Sequence, residues 1–209
     1  MSHAIYESLA EHRLVPVIAL DDVAQASPLA DALVAGGLPV AEVTFRTPAA
    51  LESIRTMAQR GDLLVGAGTV LTTTQVSQAQ AAGAKFLVSP GFNPRVVSHA
   101  LSIGMPICPG VCTPSDVEQA IEHGLEVVKF FPAEAFGGLS TLKAIAAPYR
   151  QMRFIPTGGI GPGNVMDYLA FDRVVACGGS WMVKPSLYAD GDFSGVETAV
   201  REAVQLVGK

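Results

Sequence analysis

The chain has 209 residues, of which 49% are hydrophobic and 16% charged, and 14 Lys+Arg against 19 Asp+Glu leave a formal charge of −5. So much apolar content with so little charge excludes disorder for most of its length, because burial can offset the ordering entropy. Mild acidity with no Lys/Arg run speaks against nucleic acid or an anionic membrane as the main partner.

No apolar stretch reaches the roughly 18 residues of a spanning helix, and the N-terminus carries charges and no uninterrupted apolar segment. Cys108, Cys112 and Cys177 are an odd number in a chain too large to need staples. A cytoplasmic protein without a structural disulfide is expected.

In chain order, Ile5, Leu9 and Leu14 recur at roughly helical spacing and predict an N-terminal helix over 5–14. Eight short runs rich in Val, Ile, Leu and Phe follow, at 15–20, 40–45, 63–68, 86–91, 105–110, 126–131, 153–159 and 174–179. Each reads as a strand buried on both faces. Between them lie helical patterns, for example 27–34 closing on Gly36-Gly37, 73–82 closing on Gly83 and 113–123 closing on Gly124, where the glycine is a stop signal.

Gly and Pro never mass into a linker, so 1–209 reads as a single domain. Eight apolar strands alternating with eight helices are best satisfied by a closed (β/α)8 TIM barrel, with the extra N-terminal helix covering one end. An open doubly wound sheet is the alternative. Repeats of about 26 residues leave room for short loops and no inserted lid.

In such barrels the active site lies at the C-terminal strand ends. The run 126–131 carries Lys129 on one face with Val127 and Phe131, and Val128 and Phe130 on the other. Desolvation disfavours the charged form of a lysine held among apolar residues. The neutral amine is a nucleophile toward carbonyls; a structural lysine paired with a carboxylate is the plain alternative.

The run 40–45 and the residue after it place Glu42, Thr44 and Arg46 on a face opposite Ala41, Val43 and Phe45. Glu42 and Arg46 are then about 13 Å apart along the strand. Glu42 can face Lys129 as a proton shuttle while Arg46, at the mouth, clamps a carboxylate in a bidentate fork. A buried ion pair is the alternative.

Gly158-Gly159 and Gly178-Gly179 end the last two runs. Phosphate sites in barrels often use these two loops, where backbone N–H groups approach an oxyanion; tight turns are the alternative. Thr69, after Gly66-Ala67-Gly68, offers a hydroxyl that could assist Arg46. The cysteines and the histidines at 3, 12, 99 and 123 form no convincing metal set. Gly66-x-Gly68 lacks the third glycine of a dinucleotide site.

In order along the chain, Glu42-Val-Thr-Phe-Arg46-Thr, Gly66-Ala-Gly-Thr-Val70, Ser89-Pro-Gly91, Lys129-Phe-Phe-Pro-Ala-Glu134, Pro156-Thr-Gly-Gly-Ile160 and Gly178-Gly-Ser-Trp181 together resemble the 2-keto-3-deoxy-6-phosphogluconate (KDPG) aldolase / 4-hydroxy-2-oxoglutarate aldolase family. The resemblance implies a (β/α)8 barrel, usually a homotrimer, acting in the Entner–Doudoroff pathway. The reaction splits 2-dehydro-3-deoxy-6-phosphogluconate into pyruvate and glyceraldehyde 3-phosphate through a Schiff base. No metal or other cofactor is called for, because the iminium supplies the electrophilic activation.

By the same resemblance the Schiff-base lysine falls on Lys129 and the general acid/base on Glu42. The pyruvate-carboxylate contacts fall on Arg46 and Thr69, and the apolar wall on Phe131 with Pro90 nearby. The phosphate cradle falls on Gly158, Gly159, Gly179 and Ser180. The Thr157 hydroxyl favours the gluconate substrate over its galactonate epimer, and 4-hydroxy-2-oxoglutarate is a further candidate substrate.

Overall fold

A computed structural model describes residues 2–208. The chain begins with α1 (Ser2–His12), β1 (Leu14–Ile18), α2 (Ala26–Ala35), β2 (Val40–Thr44), α3 (Ala50–Ala58), β3 (Leu64–Gly68), α4 (Thr73–Ala81) and β4 (Phe86–Val88). It continues through α5 (Pro94–Ser102), β5 (Ile107–Cys108), β6 (Gly110–Val111), α6 (Pro114–Glu122), β7 (Val127–Phe130), α7 (Gly138–Ala146), β8 (Arg153–Pro156), α8 (Val165–Leu169), β9 (Cys177–Gly179) and α9 (Ser194–Leu206). Short 3-10 turns lie at Val23–Gln25, Trp181–Val183 and Pro185–Leu187.

Every ladder is parallel, as strands joined by helical crossovers require. One arc runs β5-β4-β3-β2-β1-β9 and the other β6-β7-β8, and the bridges Phe154↔Val174 and Thr157↔Gly178 link β8 to the chain around β9. Pro109 alone separates β5 from β6. It has no N–H to give a ladder, but its carbonyl accepts from Lys129 N at 2.9 Å.

The strands are buried nearly throughout, and the helices each lay one apolar stripe on them, such as Leu29, Ala30 and Leu33 of α2 or Val96, Val97 and Ala100 of α5. Thr72 and Thr113 close capping boxes with Gln75 and Asp116, which places the starts of α4 and α6. Tyr6 and Leu9 of α1 are buried, and the Tyr6 hydroxyl donates to Ile107 O at 2.9 Å.

Val17 lies opposite Glu42, Glu42 opposite Gly66, and Gly66 opposite Phe86. A Cβ at Gly66 would come within 2.2 Å of the Phe86 ring, and one at Gly68 within 2.3 Å of Glu42 Oε1. The Gly-x-Gly of β3 therefore clears space for a ring and a carboxylate.

Several expected boundaries move. The N-terminal helix ends at His12, not at Leu14, because Arg13 turns into the left-handed region (φ 63°) and Leu14 pairs with Cys177. The run 15–20 gives up its ladder after Ile18, 86–91 after Val88 and 153–159 after Pro156, whereas 174–179 joins one only at Cys177. Leu20 and Val175 are nonetheless buried; apolar runs report burial, which extends beyond ladder pairing. The run 105–110 splits at Pro109. Cys108, Cys112 and Cys177 are free thiols, and among the described residues no helix is long and apolar enough to cross a membrane.

Candidate active site

Lys129 sits on β7 with Gly110 beside it on β6 and Ile155 on β8, and is 6% exposed. Its Nζ lies 3.7 Å from Glu42 Oε1 and 4.8 Å from the centre of the Phe131 ring. That separation exceeds a hydrogen bond, so the two groups are in charge contact without being locked together. Glu42, on β2, is 3% exposed, and its Oε1 has no hydrogen-bond partner among the described residues. An amine and an unsatisfied carboxylate oxygen face each other inside the sheet, which is costly as packing and useful as chemistry. Cys108, on β5, is buried near both; burial pushes its thiol far up, so it stays protonated.

Phe131 links this pair to a cavity of about 170 Å³ lined by Val17, Arg46, Phe131, Thr157, Gly158, Gly159, Ile160, Gly178, Gly179 and Ser180. Arg46 lies beyond the end of β2, in a turn, so it does not extend the strand face as the alternation predicts. The Thr44 hydroxyl donates to Ile18 O at 2.7 Å and accepts from Arg46 Nε at 2.9 Å, which orients the guanidinium. Thr44, read from sequence as one of three inward polar residues, is the support that aims Arg46.

The two glycine pairs differ in kind. Gly158 and Gly159 have φ of +100° and +81°, a left-handed turn for which glycine is the natural residue. Gly178 and Gly179 are small because of their neighbours: added Cβ atoms would meet Thr157 Oγ1 at 2.3 Å and Trp181 Cζ3 at 2.0 Å. Thr157 is itself 6% exposed, held by its N–H to Phe130 O at 3.0 Å, and is one of the residues that line the cavity.

Thr69 and Pro90 are not among the residues lining this cavity. Thr69, half-buried at the end of β3, has a left-handed φ of 54°, rare for a threonine. The Pro90 carbonyl lies where a Cβ on Gly110 would be, 2.1 Å away, so Pro90 backs the strand beside Lys129. Val17 and Ile160 line the cavity and were given no role from sequence: apolar wall residues carry no signal that separates them from core. Among the described residues no group of three or more His, Cys, Asp or Glu stands close enough to hold a metal ion.

Known proteins share this sequence and fold. The family model for KDPG and KHG aldolases matches residues 5–199. A 2-dehydro-3-deoxy-phosphogluconate aldolase of Treponema pallidum is 53% identical over 205 residues, 98% of each chain. The KDPG aldolase of Zymomonas mobilis ZM4, solved with 3-phosphoglycerate, is 42% identical with a TM-score of 0.90, over 98% of this chain and 95% of that one. That of Legionella pneumophila, with pyruvate captured at low pH as a covalent carbinolamine intermediate, is 36% identical with a TM-score of 0.91 over 97% of both chains. The chain belongs to the KDPG and KHG aldolase family.

Proposed function

We propose that the protein is a class I aldolase that reversibly cleaves 2-dehydro-3-deoxy-6-phosphogluconate to pyruvate and glyceraldehyde 3-phosphate. The observation that carries this reading is the buried Lys129 amine 3.7 Å from the Glu42 carboxylate, beside a cavity that holds a guanidinium at Arg46 and a left-handed glycine turn.

Neutral Lys129 adds to the C2 ketone and the carbinolamine loses water, giving an iminium. Glu42 takes the C4 hydroxyl proton, the C3–C4 bond breaks, and its electron pair flows into the iminium to form an enamine. Glyceraldehyde 3-phosphate leaves. Protonated Glu42 returns the proton to C3, and hydrolysis frees pyruvate and Lys129.

Arg46 and Thr69 hold the substrate carboxylate, and Phe131 and Pro90 form the apolar side of the pyruvate site. Gly158, Gly159, Gly179 and Ser180 receive the phosphate, and Thr157 faces the hydroxylated chain. The same 2-oxo acid end admits 4-hydroxy-2-oxoglutarate as a second substrate, consistent with the name of the matched family.

The two parallel arcs are best read as one closed (β/α)8 barrel in a single domain, with β5 and β6 as its interrupted fifth strand and α1 as an extra N-terminal helix across one end. The family resemblance favours a cytoplasmic homotrimer. Incubation with pyruvate and borohydride followed by peptide mass spectrometry tests the chemistry: a stable adduct on the Lys129 peptide is expected, and a folded protein with none refutes the Schiff-base reading.

A further inference from the structure

Backbone N–H groups stabilise an anion well only when their direction is fixed beforehand. Two consecutive left-handed glycines are the most mobile backbone available. Something must hold Gly158–Gly159, and α8 with the residue before it carries two suitable side chains.

Asn164 Nδ2 donates to Gly159 O at 3.1 Å, while Asn164 Oδ1 accepts from Gly161 N at 2.9 Å, so one amide bridges both sides of the loop. On the other flank, Glu134 N donates to Gly158 O at 3.0 Å, and the Glu134 stem fills the space where a Cβ on Gly159 would sit, 2.6 Å away. The Glu134 carboxylate in turn accepts a hydrogen bond from the Tyr168 hydroxyl. Tyr168 is 1% exposed. Burial first, and the Glu134 carboxylate second, push its phenol well above the usual range, so it remains a donor at any physiological pH.

We propose that Asn164 and Tyr168, the latter acting through Glu134, are positioning residues that hold the Gly158–Gly159 turn in the shape that accepts a phosphate ester. This rests on the phosphate cradle proposed above. Neither residue touches the reacting carbons; their effect is confined to the phosphate end of the substrate.

The test compares Tyr168→Phe, Asn164→Ala, Glu134→Ala and Glu134→Gln with wild type in three measurements. These are calorimetric affinity for 3-phosphoglycerate, KM for 2-dehydro-3-deoxy-6-phosphogluconate, and the rate of pyruvate–borohydride adduct formation on Lys129.

Tyr168→Phe and Asn164→Ala should each weaken 3-phosphoglycerate binding and raise KM about tenfold, with the adduct rate within about twofold of wild type. Glu134→Ala removes the stem beside Gly159 as well as that bond, so it should weaken binding at least as much as Tyr168→Phe, and adding Tyr168→Phe to it should cost nothing further. Glu134→Gln keeps an acceptor and should bind as wild type does.

Unchanged phosphate-ester affinity in folded variants overturns the proposal, as does a loss of adduct rate equal to the loss of affinity, which marks general distortion. A wild type that binds no phosphate ester overturns the cradle and the clamp together. A wild type that forms no Lys129 adduct refutes the aldolase reading instead, and the 3-phosphoglycerate affinities still decide the clamp.

Discussion

Replacing Gly68 with alanine should disable the enzyme without unfolding it. Gly68 lies outside the left-handed region, so its backbone accepts alanine; the conflict is with Glu42, whose Oε1, Cγ and Cδ would lie 2.3, 2.8 and 2.9 Å from the new methyl. Ordinary contact begins near 3.4 Å, so the carboxylate must retreat by about 1 Å from its place beside Lys129. Misplacing a reacting group by about 1 Å costs roughly 100-fold in rate, or about 2.7 kcal/mol of barrier. Overpacking takes about 1–3 kcal/mol of stability.

Pyruvate release, followed with lactate dehydrogenase and NADH, should show kcat down about 100-fold and KM within a few-fold, in a protein whose denaturant transition remains cooperative. Glu42→Asp in the Gly68→Ala background withdraws the carboxylate by one methylene and should recover activity relative to Gly68→Ala alone. Wild-type kcat in folded Gly68→Ala would refute the assignment of Glu42 as the proton shuttle.

Arg46→Lys keeps the charge but loses the fork and the Nε bond to Thr44. KM for pyruvate in the condensation direction should rise about tenfold, while a variant with wild-type KM removes Arg46 from the carboxylate clamp. Thr157→Val removes the hydroxyl of a cavity-lining residue at nearly constant volume; the ratio of cleavage rates should move toward the galactonate epimer, and an unchanged ratio defeats that role.

Burial pushes the Cys177 thiol from about 9 up to about 12, with Arg13 opposing as the smaller influence. The unfolded chain therefore loses this proton first. The contribution is complete below pH about 9 and disappears as pH rises toward about 12. The urea midpoint of wild type should fall more steeply between pH 8 and 11 than that of Cys177→Ala, and parallel profiles would contradict the shift.

Lys129 and Glu42 were legible in the sequence because a charge inside an apolar strand has few bland explanations, and the structure brings the two together. The parallel sheet followed from the alternation of runs and helical patterns, since parallel strands buried on both faces leave continuous apolar stretches. Ladder ends were less legible: Leu20 is as apolar and as buried as a true strand residue, and only its lack of a ladder partner tells it apart.

The turn at Arg46 also escaped, because a period of two continues on paper past the last hydrogen-bonded pair. Glycine pairs read alike in sequence but separate in space, one set by φ and the other by the side chains of Thr157 and Trp181. Asn164 and Tyr168 gave no signal, since Asn164 bonds only a backbone carbonyl and a backbone N–H, and Tyr168 a carboxylate 34 residues away.

The break at Pro109 divides the chemical labour as well as the strand. Before it the chain holds Glu42, Arg46 and Thr69, the residues assigned to proton transfer and to grasping a carboxylate; after it come Lys129, Phe131 and both glycine pairs, assigned to the covalent bond and the phosphate. β5 is stitched to β4 and β6 to β7, while β9, with Gly178 and Gly179, returns to pair with β1 at the start of the chain. Glu42 and Lys129 thus meet only because the second half of the chain comes back to the first.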